Sequence, residues 1–299
     1  MSLTNLTIMY GHLEGAGRDF ARDPSGYLSI EKGIFQKHGL DISWQHVQGT
    51  EERYRKLADG SAQISLLVGR ASLQHFLASQ STRILGCVMN SCPYYLMASP
   101  TIGALADLKG KVVVCREGPS RGAPIAATFD KLAKLRVGSD LTLEFPSGDQ
   151  HAFDMLIEGK TQAALLPRPF GFIAEARGFR RLKEWPDVVD DPLPISIETT
   201  EKFWREREGD CAKFLAAHSE GVLYFKTHRE EALRILQQRF GHAPVFAERI
   251  FDEYIVCMEE TLKVDFDHFA RLLAQTAPER DAEGRQIAAQ WIVGGALKG

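Results

Sequence analysis

Residues 118 to 122 read Gly118-Pro119-Ser120-Arg121-Gly122, a hydroxyl and a guanidinium framed by glycines between an apolar run at 112–115 and a helical pattern from Pro124. Two chemistries use such a stretch. In a G-x-S-x-G elbow the serine is a nucleophile on a sharp strand-to-helix turn. At a helix start, the backbone amides of Ser120, Arg121 and Gly122, with the Ser120 hydroxyl, hold an anion instead. The nucleophile needs an acid and then a histidine later in the chain. His218, His228, His242 and His268 follow Ser120, yet any chain with nine histidines satisfies that order, and no HGGG-like oxyanion segment is present. The anion reading is the stronger of the two.

A helix start contributes roughly 0.3 to 1 kcal/mol to anion binding, up to about 2 when partly buried, whereas micromolar affinity corresponds to about 8 kcal/mol. Further partners are required. Arg70, in Leu66-Leu67-Val68-Gly69-Arg70, and Arg168, in Leu165-Leu166-Pro167-Arg168, each follow an apolar strand pattern. Strand C-terminal ends face the ligand crevice of parallel sheets, so both are candidates to grip a carboxylate or sulfonate. The alternative for each is a solvated arginine or a structural ion pair. His12, in the glycine-containing turn after the first strand pattern, either donates a hydrogen bond to a ligand or is a surface histidine. Of Tyr94 and Tyr95, one is expected to stack on a ligand ring and the other to be core. Gly49 and Thr50, like Gly148 and Asp149, open a helix and are expected to line the mouth of the site. The turn at 15–19 lacks the third glycine of a dinucleotide fingerprint, and Cys87 with Cys92 lacks a second ligand pair for zinc. No cofactor or metal is expected.

These residues recur in a pattern. Residues 39–67 lie over 138–166 without a gap, with identities at Gly39/Gly138, Asp41/Asp140, Gly49/Gly148, Leu57/Leu156, Gly60/Gly159, Gln63/Gln162, Leu66/Leu165 and Leu67/Leu166. In each copy a glycine ends a helix, a strand follows, a glycine turn opens a short amphipathic helix, and acid-Gly closes it before an apolar strand. Tyr54, Leu57 and Ala58 give the first of these helices its expected buried face. Upstream, 6–10 and 110–115 read as strands, 24–37 as a helix ended by Gly39, and Pro124 as the start of a helix with Ile125, Phe129, Leu132 and Leu135 on its apolar stripe. Alternation of this kind implies two similar α/β lobes with mostly parallel sheets. The duplication has no place in a single-sheet hydrolase, which puts the nucleophile reading last.

The apolar run 81–100 and the Pro- and Asp-rich 184–200 read as two crossings between lobes, hence a hinge. Lobe I takes 1–93 and 197–299, and lobe II takes 94–196. After residue 199 the pattern turns helical, with further helices expected near 244–258, 265–275 and 283–293.

The composition excludes several classes. A net charge of −3 gives no basic field for nucleic acid. No stretch approaches the roughly 20 apolar residues of a membrane helix, and the N-terminus lacks the pattern of a secretory leader. The protein is expected in the cytoplasm, or in the periplasm if a leader has been trimmed. The five cysteines are scattered and read as thiols rather than a disulfide framework.

The stretches Glu31-Lys32-Gly33-Ile34-Phe35-Gln36-Lys37-His38-Gly39-Leu40-Asp41, 57–67, 106–118 and 156–178, in that order, resemble the type II periplasmic substrate-binding proteins of ABC importers. The likeness is to the branch for nitrate, sulfonates, taurine and thiamine pyrimidine precursors, and it runs from about residue 5 to 275. It implies two α/β lobes, a cleft that closes on one small ligand, a helical C-terminal tail, and an ABC permease as partner. Enzymes on the same scaffold include pyrimidine synthases, an aromatic desulfinase and decarboxylases of aromatic acids. The cysteine-rich iron motif of the synthases and the nucleophilic cysteine of the desulfinase have no equivalent here. Binding of a small organic anion is the leading expectation. A cytoplasmic lyase acting on an aromatic acid, with His12 or Cys92 as acid or base, is the second.

Overall fold

The structure, a computed structural model, describes residues 3–10, 23–47, 49–67, 69–89, 94–115, 119–146, 149–184 and 195–298, with the backbone alone at 67, 119–124, 168, 169 and 298. The chain divides into two compact units. The first begins with β1 (Thr4–Tyr10), α1 (Pro24–Glu31), α2 (Ile34–Lys37), β2 (Leu40–His46), α3 (Thr50–Ala58), β3 (Ile64–Leu67), α4 (Gly69–Ser79) and β4 (Thr82–Met89). The second holds β5 (Tyr94–Ala98), β6 (Val112–Cys115), α5 (Pro119–Ala133), β7 (Thr142–Glu144), α6 (Asp149–Ile157), β8 (Ala163–Pro167), α7 (Arg168–Ala176) and β9 (Arg180–Glu184). The chain then returns to the first unit with β10 (Ile195–Thr200) and the helices α8 (Glu201–Glu206), α9 (Glu208–Thr227), α10 (Arg229–Gln238), α11 (Pro244–Cys257), α12 (Phe266–Thr276) and α13 (Gly284–Trp291).

Each unit is built on a five-stranded sheet, ordered β2-β1-β3-β10-β4 in one and β7-β6-β8-β5-β9 in the other. In both, the strand that enters from the other unit, β10 or β5, runs antiparallel to its neighbours, and the rest share one direction. The sequence repeat is also a repeat of register. Thr7 pairs with Ser43 and Ile8 with Ile64, while Val112 pairs with Thr142 and Val113 with Ala163, the residues 99 positions on from Ser43 and Ile64. The repeated glutamine sets that register twice. Gln63 Oε1 accepts from the Thr7 amide at 2.7 Å, and Gln162 Oε1 accepts from the Val112 amide at 3.2 Å.

Several local expectations are corrected. The helix read over 24–37 is two helices, because Gly33 between them takes a φ of +68°, a left-handed conformation that glycine adopts at no steric cost. The helix read from Pro124 starts at Pro119, so Ser120, Arg121 and Gly122 lie in its first turn. Leu132 is 42% exposed, while Ile125, Phe129 and Leu135 are buried. On α3, Ala58 is exposed and Arg53 takes the buried place beside Leu57. The C-terminal helices fall close to their expected limits. Phe269 and Leu272 of α12 and Trp291 of α13 pack on Leu73, Phe76 and Ile84 in one core cluster, where each large side chain contributes roughly 1.5 to 3 kcal/mol.

Candidate functional site

In the second unit the topology gathers the candidates onto one sheet edge. Strand β6 ends at Cys115 and α5 starts at Pro119, which puts Ser120, Arg121 and Gly122 at a helix start beyond a strand C-terminus. Strand β8 ends at Pro167, so Arg168 is the first residue of α7. Tyr94 opens the antiparallel β5 directly across from Pro167, which brings it to the same edge. Tyr94 is 6% exposed and packs in the core of this unit with Leu96, Val113 and Phe129. Tyr95 is buried against the Arg181 guanidinium, 3.9 Å from its ring centre. Asp149, expected at a mouth, is 1% exposed.

In the first unit Gly49, Thr50 and Arg70 occupy the corresponding edge. Gly49 takes a φ of +81° before α3, whose first amides have no side-chain cap, and Arg70 lies in the first turn of α4, two residues past a described strand end and one undescribed residue. The Arg70 guanidinium donates to Gln275 of α12, at 2.8 Å to Oε1 and 3.3 Å to the backbone carbonyl. His12 lies outside the described residues, as do Cys92 and Gly148. Ser120 belongs to the second unit, while His218 is buried in the first with its Nε2 2.8 Å from Asp23 Oδ2. Asp23 precedes Ser120 in the chain, against the order that a serine hydrolase of this type uses.

The side chains that sequence reasoning missed lie beneath Thr50 and Arg70. Arg53 is 4% exposed and donates to the carbonyls of Leu66 at 2.9 Å and Val47 at 3.3 Å, at the C-terminal ends of β3 and β2. Glu198 is fully buried on β10. Its Oε2 accepts from the Tyr54 hydroxyl of α3 at 3.2 Å and the Ser72 hydroxyl of α4 at 3.1 Å. Burial pushes the Glu198 carboxyl up to about 7, although hydrogen bonds from Thr82, Ser72 and Tyr54 and the charge of Arg53 all pull it down. The Tyr54 phenol is pushed up by burial and by the Glu198 charge. No periodicity announces these residues, because an arginine and a glutamate within apolar patterns read as surface. Their one sequence signal is that the repeat pairs Arg53 with Ala152.

A cavity of about 660 Å³ opens at the other end of this sheet, lined by Tyr54, His75 and Thr82 with Leu57, Phe203 and Glu206. Among the described residues no cluster of His, Cys, Asp and Glu is arranged to hold a metal, and no helix is long and apolar enough to cross a membrane.

No protein-family profile and no curated sequence matches the chain. Solved structures do. The alkanesulfonate-binding protein SsuA from Xanthomonas axonopodis pv. citri, bound to MOPS, superposes with a TM-score of 0.70 at 15% identity, covering 100% of this chain and 99% of its own. The periplasmic aliphatic sulphonate-binding protein SsuA from Escherichia coli gives 0.72 at 17% identity, covering 96% and 94%. The desulfurization enzyme DSZB gives 0.67 at 16% identity, covering 95% and 93%. The chain therefore has the type II periplasmic-binding-protein fold, two mixed five-stranded sheets with flanking helices and a helical C-terminal region.

Proposed function

We propose that the chain binds one small organic anion, a sulfonate or an aromatic carboxylate, as the substrate-binding component of an ABC importer. One observation carries this reading. In each unit, residues chosen from sequence alone fall at the C-terminal edge of the parallel strands, Gly49, Thr50 and Arg70 in one and Tyr94, Ser120, Arg121, Gly122 and Arg168 in the other. That edge is where open α/β sheets take their ligands. Its supply of helix starts and arginines suits an anion. The full-length likeness to two sulfonate-binding proteins supports the ligand class. In this reading His12 and these eight residues contact the ligand, and a permease is the macromolecular partner.

Calorimetry with benzenesulfonate and benzoate tests it. Arg70→Ala and Ser120→Ala are each expected to weaken the anion that binds the parent by about tenfold, the scale of one charge-assisted hydrogen bond. Unchanged affinity in both variants rejects the site. The second reading, a lyase of aromatic acids with His12 or Cys92 as acid or base, is favoured by the fold shared with the desulfurization enzyme. Following the mass of the bound acid separates the two, since an enzyme converts it and a binder returns it intact.

A further inference from the structure

Four polar side chains, Arg53, Ser65, Ser72 and Glu198, are buried in the first unit, with the half-buried Tyr54 beside them, where the second unit has apolar residues or glycine. Arg53, Tyr54, Ser65 and Ser72 stand 99 positions before Ala152, Phe153, Ala164 and Gly171. Glu198, directly across from Ser65, holds the sheet position that Met97 holds across from Ala164. The apolar set folds into the same sheet with the same register, so the architecture does not require the charges. Buried charged groups are costly compared with apolar packing, which directs attention to what the charges do.

Their placement points upward, to the edge where Thr50 and Arg70 lie. The Arg53 guanidinium is held at the strand ends by the Val47 and Leu66 carbonyls, and Glu198 sits deeper, held by Tyr54 and Ser72. Tyr54 is about 6 Å of helix rise below Thr50, and Ser72 about 3 Å below Arg70. An anion on these helix starts would be separated from the Glu198 carboxyl by about one or two helical turns of α3 and α4, through protein where charges are poorly screened. Ionised, Glu198 offsets part of the field of Arg53. Protonated, it leaves that field to the ligand. Solvent reaches the surrounding groups from below, through the cavity that touches Tyr54, His75 and Thr82.

We propose that the first unit takes up its anion together with a proton, and that Glu198 is the positioning residue that accepts it. The proton moves from solvent to the carboxylate, and no other bond changes. The groups facing Glu198 are Arg53 and Tyr54 from α3, Ser72 from α4, Ser65 from β3 and Thr82 from β4, with His75 stacked on the Tyr54 ring. The charged residues around the cavity are Asp59, Glu201, Lys202 and Glu206. Asp59 is paired with Arg55 and Glu201 with Arg83. Burial lowers the pKa of His75 from its usual value.

This inference rests on the anion reading, and the test separates their failures. Infrared difference spectra between the parent and Glu198→Gln follow the carboxyl from pH 5 to 9, without and with benzenesulfonate. Calorimetry at pH 7 in buffers of different ionisation enthalpy counts protons. The expected result is a carboxyl that titrates near 7, a midpoint raised by benzenesulfonate, and uptake of about half a proton on binding. Affinity should rise about tenfold from pH 8 to 6 in the parent and stay at its low-pH value throughout in Glu198→Gln. Tyr54→Phe, which removes one donor to the carboxylate, should raise the midpoint and keeps the test open if the first variant misfolds. Benzenesulfonate binding without proton uptake, or a carboxyl already ionised at pH 5.5, overturns the proposal alone. No binding of benzenesulfonate at any pH, with a carboxyl that titrates near 7, overturns the anion reading and the co-uptake with it.

Discussion

The two sheets are the same scaffold filled in two ways. Gln63 and Gln162 tie the same pair of strands in each, and the register they set is identical. Between helix and sheet the units diverge. Ser72 reaches a carboxylate, while the matching Gly171 lies against the Tyr95 ring, so near that an added Cβ would stand 2.4 Å from it. Phe153 packs on Phe170 where Tyr54 turns its hydroxyl to Glu198. Strand geometry is common to both because hydrogen bonds between backbones set it. The helix layer is free to vary because it needs only matched volume and satisfied polar groups.

Three measurements probe this contrast. The largest effect is expected from Arg53→Ala, the residue the second unit carries at that place. It strips the Val47 and Leu66 carbonyls of a donor and empties a buried side-chain position, at a cost of about 3 to 5 kcal/mol in urea unfolding. Adding Glu198→Met, which removes the carboxyl that Arg53 helps to ionise, should recover part of that loss. A single variant costing under about 1 kcal/mol would mean that the charges are not integrated.

Next comes the pH dependence of stability. The Glu198 carboxyl lies at about 7 in the folded chain, above its ordinary 4.5, so between those values the folded state holds a proton that the unfolded state has lost. Its contribution therefore falls as pH rises from about 4.5 to 7 and is level above. Glu198→Gln should remove this slope and, at pH 8, be the more stable protein by about 3 kcal/mol at most. Parallel melting curves for the two proteins across pH 5 to 8 would contradict it. The smallest effect tests what the units share. Gln63→Ala and Gln162→Ala should each cost about 1 kcal/mol, the value of one hydrogen bond, and unequal losses would show that the register is held differently in the two.

Much of this was legible in the chain. The repeat marks the duplicated strand-helix-strand blocks, and Ser120, Arg121 and Gly122 are legible as lying near a helix start beyond a strand. Of Tyr94 and Tyr95 the sequence leads one to expect one core residue and one ligand contact, and both are buried, since a tyrosine suits a core or a ligand wall equally. The break at Gly33 and the helix start at Pro119 were missed because glycine and proline mark a boundary without saying on which side the helix lies. Arg70 was legible as a residue after a strand, whereas its bonds to Gln275 join parts of the chain 205 residues apart.

By itself the sequence determined the α/β class, the duplication and the strand ends at which the candidate site residues lie, because periodicity and turn chemistry are local. Only the tertiary structure decided that Arg53 and Glu198 are buried near one another. The state of a charge depends on neighbours brought from α3, α4, β4 and β10, and no local pattern records them.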